Sequence, residues 1–174
     1  MNHDVFISYS RKDKNVIGEI CSLFDKYSIT YWLDTNEVHM GGKFMEDIVD
    51  AINASSIVLF ISSVDSNHSI YTAKEVAFAF NAGKYIIPYK IDDSSFSKNL
   101  QFVMTDLNCI NAVPYSQQKA ELLVHDILSL LRGERHEEIR ETHKREYIDV
   151  EKWNEPNNKL FAIYKKEYFK INNY

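Results

Sequence analysis

The run Ile70-Tyr71-Thr72-Ala73-Lys74-Glu75-Val76-Ala77-Phe78-Ala79-Phe80 sets a lone carboxylate one turn after an aromatic residue, in a largely apolar stretch. On an ideal helix each residue turns about 100°. Ala73, Val76, Ala77 and Phe80 then form one stripe fit to be covered by a sheet, and Tyr71, Glu75 and Phe78 point the opposite way. Glu75 faces either water or a cleft. In water it is one more solvated helix residue; in a cleft it accepts hydrogen bonds from hydroxyls and stands as a counter-charge to a positive centre. Three polar segments could wall such a cleft: Ser8-Tyr9-Ser10-Arg11, Asp34 to Lys43, and Ser62 to Ser69.

These groups need a frame. Val5-Phe6-Ile7 and Ile57-Val58-Leu59-Phe60-Ile61 are short continuous apolar runs, the pattern of parallel strands covered on both faces. Thr30 to Leu33, Tyr85 to Ile87 and Cys109 to Val113 read as further strands, with Pro88 expected at a bulge or an unpaired edge because it lacks an N–H. Between them, helical spacing recurs in Val16, Ile17, Ile20, Cys21, Phe24 and Tyr27, in Phe44, Met45, Ile48, Val49 and Ile52, and in Ala120, Leu123, Val124, Ile127, Leu130 and Leu131. Ser69 is positioned to cap the helix that carries Glu75, and Gly83 lies beyond its end. Alternating strands and helices with short connections predict an α/β fold: a flavodoxin-like open sheet of five parallel strands, order 2-1-3-4-5, with helices on both faces. Ligands in such sheets bind outside the carboxyl ends of the strands, and the three polar segments all lie there.

The predicted domain spans residues 1–133. Residues 134–174 differ in character: both charges mix from Glu134 to Glu151, and lysines then interleave with aromatic residues up to Lys170. This reads as a helical C-terminal extension that packs on the domain or on a second copy. A membrane contact is the weaker reading, because the basic residues do not segregate onto one face.

Composition and spacing exclude several functions. Hydrophobic residues make up 45% of the chain and charged ones 26%, which suits a globular domain, and the net charge of −5 carries no nucleic-acid footprint. No apolar run approaches the ~20 residues of a membrane span. The strand-like run from Val5 is expected to leave no room for a signal peptide. Cys21 and Cys109, each beside an isoleucine, are expected to be buried free thiols, so a cytoplasmic location is expected. A phosphoacceptor receiver would need acidic residues after strands one and three, where Ser8 and Ser62 stand. No G-x-G-x-x-G follows the first strand, Gly41-Gly42-Lys43-Phe44 is not a P-loop, and there is no C-x-x-C. His136 and His143, seven apart in a charged run, read as surface residues, and no metal site is expected.

Val5-Phe6-Ile7-Ser8-Tyr9-Ser10, then Trp32-Leu33-Asp34 with Gly41-Gly42-Lys43-Phe44, then Val58-Leu59-Phe60-Ile61-Ser62 with Glu75-Val76-Ala77-Phe78-Ala79 resemble the successive boxes of a Toll/interleukin-1 receptor (TIR) domain. The match runs in order from about residue 2 to 132. Many TIR domains, bacterial and plant ones especially, cleave NAD+ at the nicotinamide–ribose bond with a glutamate in a W-x-x-x-E arrangement. Glu75 matches that glutamate, and Tyr71 occupies the tryptophan position, a departure that keeps a stacking face of different size.

The resemblance implies an NAD+ glycohydrolase or ADP-ribosyl cyclase with Glu75 as the catalytic residue and NAD+ as substrate, so no further cofactor is expected. Ordinary glycosidases use two carboxyl groups. Nicotinamide in NAD+ is already a cationic leaving group, so one carboxylate suffices to steady the ribose. The expected substrate contacts are Tyr71 as an aromatic wall, Ser8, Tyr9, Ser10 and Arg11 toward the pyrophosphate, Trp32 (also a core candidate), and Asp34 and Lys43 in a second loop that closes over the dinucleotide. The resemblance also implies self-association through TIR surfaces, and a role in bacterial anti-phage defence in which a separate effector reads the nucleotide product, or in which NAD+ is depleted. The alternative is a non-catalytic TIR module that recruits protein partners.

Overall fold

The computed structural model describes residues 2–33, 42–105 and 107–133, with the backbone alone at 42–44. Asp34, the Lys43 side chain and the expected extension over 134–174 lie outside the described residues. The strands are β1 (His3–Ser8), β2 (Tyr31–Leu33), β3 (Ser55–Ser62), β4 (Tyr85–Lys90) and β5 (Ile110–Asn111). They form one parallel sheet in the order β2-β1-β3-β4-β5. The helices are α1 (Lys14–Lys26), α2 (Gly42–Ala54), α3 (Val64–Asn67), α4 (Ile70–Asn81), α5 (Lys98–Met104) and α6 (Gln117–Leu131).

The apolar run of β3 lies at the centre of the sheet, as a strand covered on both faces should. Phe6, Val58, Phe60 and Ile86 pack with α2, α4 and α5 in one core. By strand alternation, Val5, Ile7, Ile57, Leu59, Ile61 and Ile87 face the other side, and α1 and α6 pack on each other. Ser8 shares the parity of Phe6, so the last residue of β1 turns its side chain toward α2 and α4. Pro88 stands beside an unpaired outer edge, because β5 meets β4 only at Tyr89 and Lys90.

Two expectations change. Cys21 is buried but Cys109 is exposed, because the last strand shrinks from five residues to two and leaves Cys109 in the loop before it. In α4 the buried residues are Thr72, Val76 and Ala79, whereas Phe80 is 38% exposed. At 100° per residue the buried face is rotated by about a quarter-turn from the apolar stripe. The reason is local hydrogen bonding. Ser69 caps the helix by accepting the Thr72 N–H, and the Thr72 hydroxyl donates to the carbonyls of Ser66 at 2.6 Å and Ser69 at 3.1 Å. A threonine with its hydroxyl satisfied inside the turn buries as readily as an apolar residue. The rotation carries Glu75 from the outer face to the flank of the helix, where it is half-buried.

Replacing Thr72 by the isosteric Val deletes both donated bonds without opening a cavity. Urea denaturation of Thr72→Val should show a loss of about 1 kcal/mol at unchanged slope, although hydropathy alone favours valine.

Candidate active site

Because all five strands are parallel, the segments after β1 and β3 leave the sheet on the same edge. Ile7, Tyr9, Ser10 and Arg11 at the end of β1 face Ser69, Tyr71, Thr72 and Glu75 at the start of α4 across a cleft of about 240 Å³. A second hollow of about 190 Å³ runs between α2 and α4. Met45, Ile48, Val49 and Ile52 form one of its walls and Tyr71, Lys74, Glu75 and Phe78 the other. Tyr71 and Glu75 thus border both spaces, the more polar one on the β1 side and an apolar one on the α2 side.

Beneath the cleft, Ser8 Oγ donates to Glu75 Oε2 at 2.6 Å. That is a short, well-formed hydrogen bond between a hydroxyl and a carboxyl oxygen. Ser8 is 1% exposed, so the bond is anchored on the rigid end of a central strand. Tyr71 is half exposed and presents a ring to the cleft rim. Ser10 begins a short 3-10 turn (Arg11–Asp13), its Oγ accepting the Lys12 N–H at 3.4 Å, and this turn sets the exposed Arg11 at the cleft.

Of the residues expected to meet a substrate, the structure brings together Tyr9, Ser10, Arg11, Tyr71 and Glu75 around one space, with Ser8 bonded to Glu75 from beneath. Trp32 lines neither hollow: it stacks flat on Phe6, ring centres 4.9 Å apart and planes 8° from parallel, against the core. Ile7, Ser69 and Thr72 also line the cleft. Their signals were present as a strand end and a helix cap, features that also occur where nothing binds.

The segment after β3 braces the cleft and contributes to its lining only through Ser69. Ser63 caps α3 in a reciprocal bond with Ser66, and its hydroxyl donates to Asp13 at 2.6 Å. Burial pushes the Asp13 carboxyl above its ordinary range, against the pull of the Ser63 hydrogen bond. Asp92, after β4, accepts the N–H of Val64 at 2.7 Å and of Ser94 at 2.9 Å. Partial burial would raise its carboxyl, but hydrogen bonds from the Ser94 side chain and the backbone of Val64 and Ser94 outweigh that and hold it below the usual range. Among the described residues no group of three or more His, Cys, Asp or Glu is placed to hold a metal ion. Among those residues, too, no helix is long and apolar enough to cross a membrane.

The family model for the TIR domain matches residues 5–128. No curated protein matches the sequence. The TIR domain of the Toll-related receptor TRR-2 from Hydra magnipapillata superposes with a TM-score of 0.59 at 20% identity, over 72% of this chain and 98% of that one. The TIR domains of the activated Roq1 resistosome, which directly recognises the pathogen effector XopQ, give 0.57 at 13% identity, over 72% and 99%. The CMP N-glycosidase BcmB from Clostridium botulinum gives 0.50 at 16% identity, over 69% and 97%. At these identities the likeness is one of fold.

Asp92→Asn removes the anion that braces the start of α3. A carboxylate whose folded pKa is lowered contributes stability above its unfolded pKa and loses it as pH falls through the folded value. Asp92→Asn should therefore be less stable than wild type at pH 7. Denaturation from pH 7 to 2.5 should show the gap closing as pH drops below the ordinary carboxylate range.

Proposed function

The chain belongs to the TIR domain family, and from that premise we propose that it cleaves NAD+ at the bond between nicotinamide and ribose. The observation that carries this reading is the Glu75 carboxylate, turned into the cleft and hydrogen-bonded to Ser8 rather than extended into solvent. As nicotinamide departs with the bonding electron pair, positive charge develops on the ribose. An anion fixed beside it stabilises that transition state, and a fixed anion needs no reorganisation as the charge appears. Water then adds to the ribose carbon and loses a proton, giving ADP-ribose; an atom of the same ADP-ribose adding instead gives a cyclic isomer.

The two hollows suit the two chemistries of the substrate. Ribose and phosphates fit the polar cleft, where Arg11 offers a forked donor to phosphate oxygens, with Tyr9 and Ser10 beside it. The flat nicotinamide ring fits the apolar hollow beyond Tyr71, between α2 and α4. Asp34 and Lys43 remain proposed contacts of the second loop. Trp32 supports the site through Phe6. The same fold serves a CMP N-glycosidase, which parts a base from a ribose, so the architecture is compatible with this class of reaction. We extend the reading to a cytoplasmic enzyme of bacterial anti-phage defence that self-associates and makes a nucleotide signal for a separate effector. The likeness to the resistosome TIR domains supports an immune role.

Incubation of the purified chain with NAD+, followed by chromatography of the products, tests the proposal. Nicotinamide should appear with ADP-ribose or a cyclic isomer. Glu75→Gln, nearly isosteric and uncharged, should keep its fold and lose about 100-fold or more in turnover. Tyr71→Ala should raise KM by about fivefold or more, the size of one lost stacking contact. NAD+ left intact by folded wild-type protein in every state of assembly would favour the non-catalytic interaction module instead.

A further inference from the structure

We propose that Ser8 is the positioning residue of this site: its hydroxyl pins the Glu75 carboxylate in the orientation in which it meets the ribose. The catalytic consequence rests on the NAD+-cleaving reading above; the contact itself rests on geometry alone.

Ser8 is the last residue of β1, in register with Phe60 of β3, and is almost fully buried. Its side chain has one carbon torsion and a hydroxyl rotor, so a donor placed there has little freedom. Glu75 is the opposite case. It sits on a helix flank with three side-chain torsions, and its carboxylate end gains a fixed direction from the groups it bonds. The 2.6 Å bond from Ser8 Oγ to Oε2 transfers the rigidity of the strand to the end of that flexible side chain. The neighbouring Ser and Thr hydroxyls have other partners. Ser10 accepts from Lys12, Ser69 caps α4, and Thr72 donates to the carbonyls of Ser66 and Ser69. Ser8 spends its proton on the carboxylate, and the phosphates of the substrate fall to Arg11 and the backbone around it.

A hydrogen bond donated to the charged form of an acid favours that form. Ser8 therefore both orients Glu75 and favours its anion, the form the chemistry requires. Among the described residues, the titratable groups bordering the two hollows that Glu75 lines are Tyr9 and Arg11 from the segment after β1 and Tyr71 and Lys74 on α4, and the described α2 side chains there are apolar. Ser8 is set apart from them by its burial on the strand.

The test compares wild type, Ser8→Ala and Ser8→Cys as full chains, each checked for folding by thermal melting. It measures NAD+ turnover against substrate and pH, together with a carbon-detected NMR titration of the Glu75 carboxyl, assigned by its loss in Glu75→Gln. In Ser8→Ala, kcat should fall by about 10- to 100-fold, the size of one hydrogen bond to a charged group, while KM stays within about twofold. Ser8→Cys, near in shape and a weaker donor, should lie between and decides the matter if the alanine chain melts early. The acid limb of kcat and the Glu75 titration should both move to higher pH on loss of the hydroxyl. Active variants with unchanged kcat, or a loss confined to KM with no shift in the titration, would overturn the proposal. If wild type leaves NAD+ intact, the catalytic reading fails separately, and the titration alone judges the pin: an upward shift upholds it and an unmoved one overturns it.

Discussion

The hydrogen bond from Ser8 to Glu75 joins two groups 67 positions apart in sequence. It exists because β1 and β3 are parallel neighbours, so the end of one and the helix after the other are delivered to the same edge of the sheet. Everything else at the site is arranged around that contact. Ser8 can reach α4 because strand alternation turns it to the same face as Phe6. Glu75 can meet it because α4 is rotated until its carboxylate lies on the flank. Had either parity been different, the serine would face α1 and α6 and the glutamate would face water.

The polar groups at this edge divide into those that make the cleft and those that hold it. Ser63, Ser66, Asn67, Ser94 and Asp92 form a connected set of bonds between the segments after β3 and β4. Those around Ser63, Ser66 and Asn67 satisfy groups that burial would otherwise leave costly, whereas the bond from Val64 to Asp92 lies at the exposed surface. The exposed ion pair of Lys12 and Asp65, 2.7 Å apart, adds a link between the turn after β1 and α3, of the modest strength usual for a pair open to water. With those walls fixed, Tyr9, Arg11, Tyr71 and Glu75 project into a space of defined shape. The contrast between the more polar cleft on one side of Tyr71 and the apolar hollow on the other gives the site two unlike compartments that meet at Tyr71 and Glu75.

Much of the frame was legible from the chain. The five apolar, mostly β-favouring residues of β3 read as a strand buried on both faces, and the strand order was the natural choice for short right-handed crossovers in a flavodoxin-like sheet. Ser69 and Gly83 marked the ends of α4, and Gly83 indeed adopts the left-handed conformation, φ +66°, that favours glycine there. The rotation of α4 was not legible, because hydropathy ranks threonine as polar and phenylalanine as apolar without knowing that the Thr72 hydroxyl closes on its own turn. The packing of Trp32 was equally ambiguous: an indole at a strand end serves a core or a ligand, and only the register shows that it lies on Phe6 against the core.

The sequence by itself determined the α/β frame and the family resemblance and singled out Glu75 as a candidate, because hydrophobic periodicity, caps and ordered motifs are local signals that survive without coordinates. The tertiary structure alone decided which face of α4 is buried, that Ser8 is spent on Glu75, and that one space is more polar while its neighbour is apolar. Those facts depend on distances between segments far apart in the chain. Such distances are set by strand parity, helix rotation and the balance of buried hydrogen bonds, which no local pattern records.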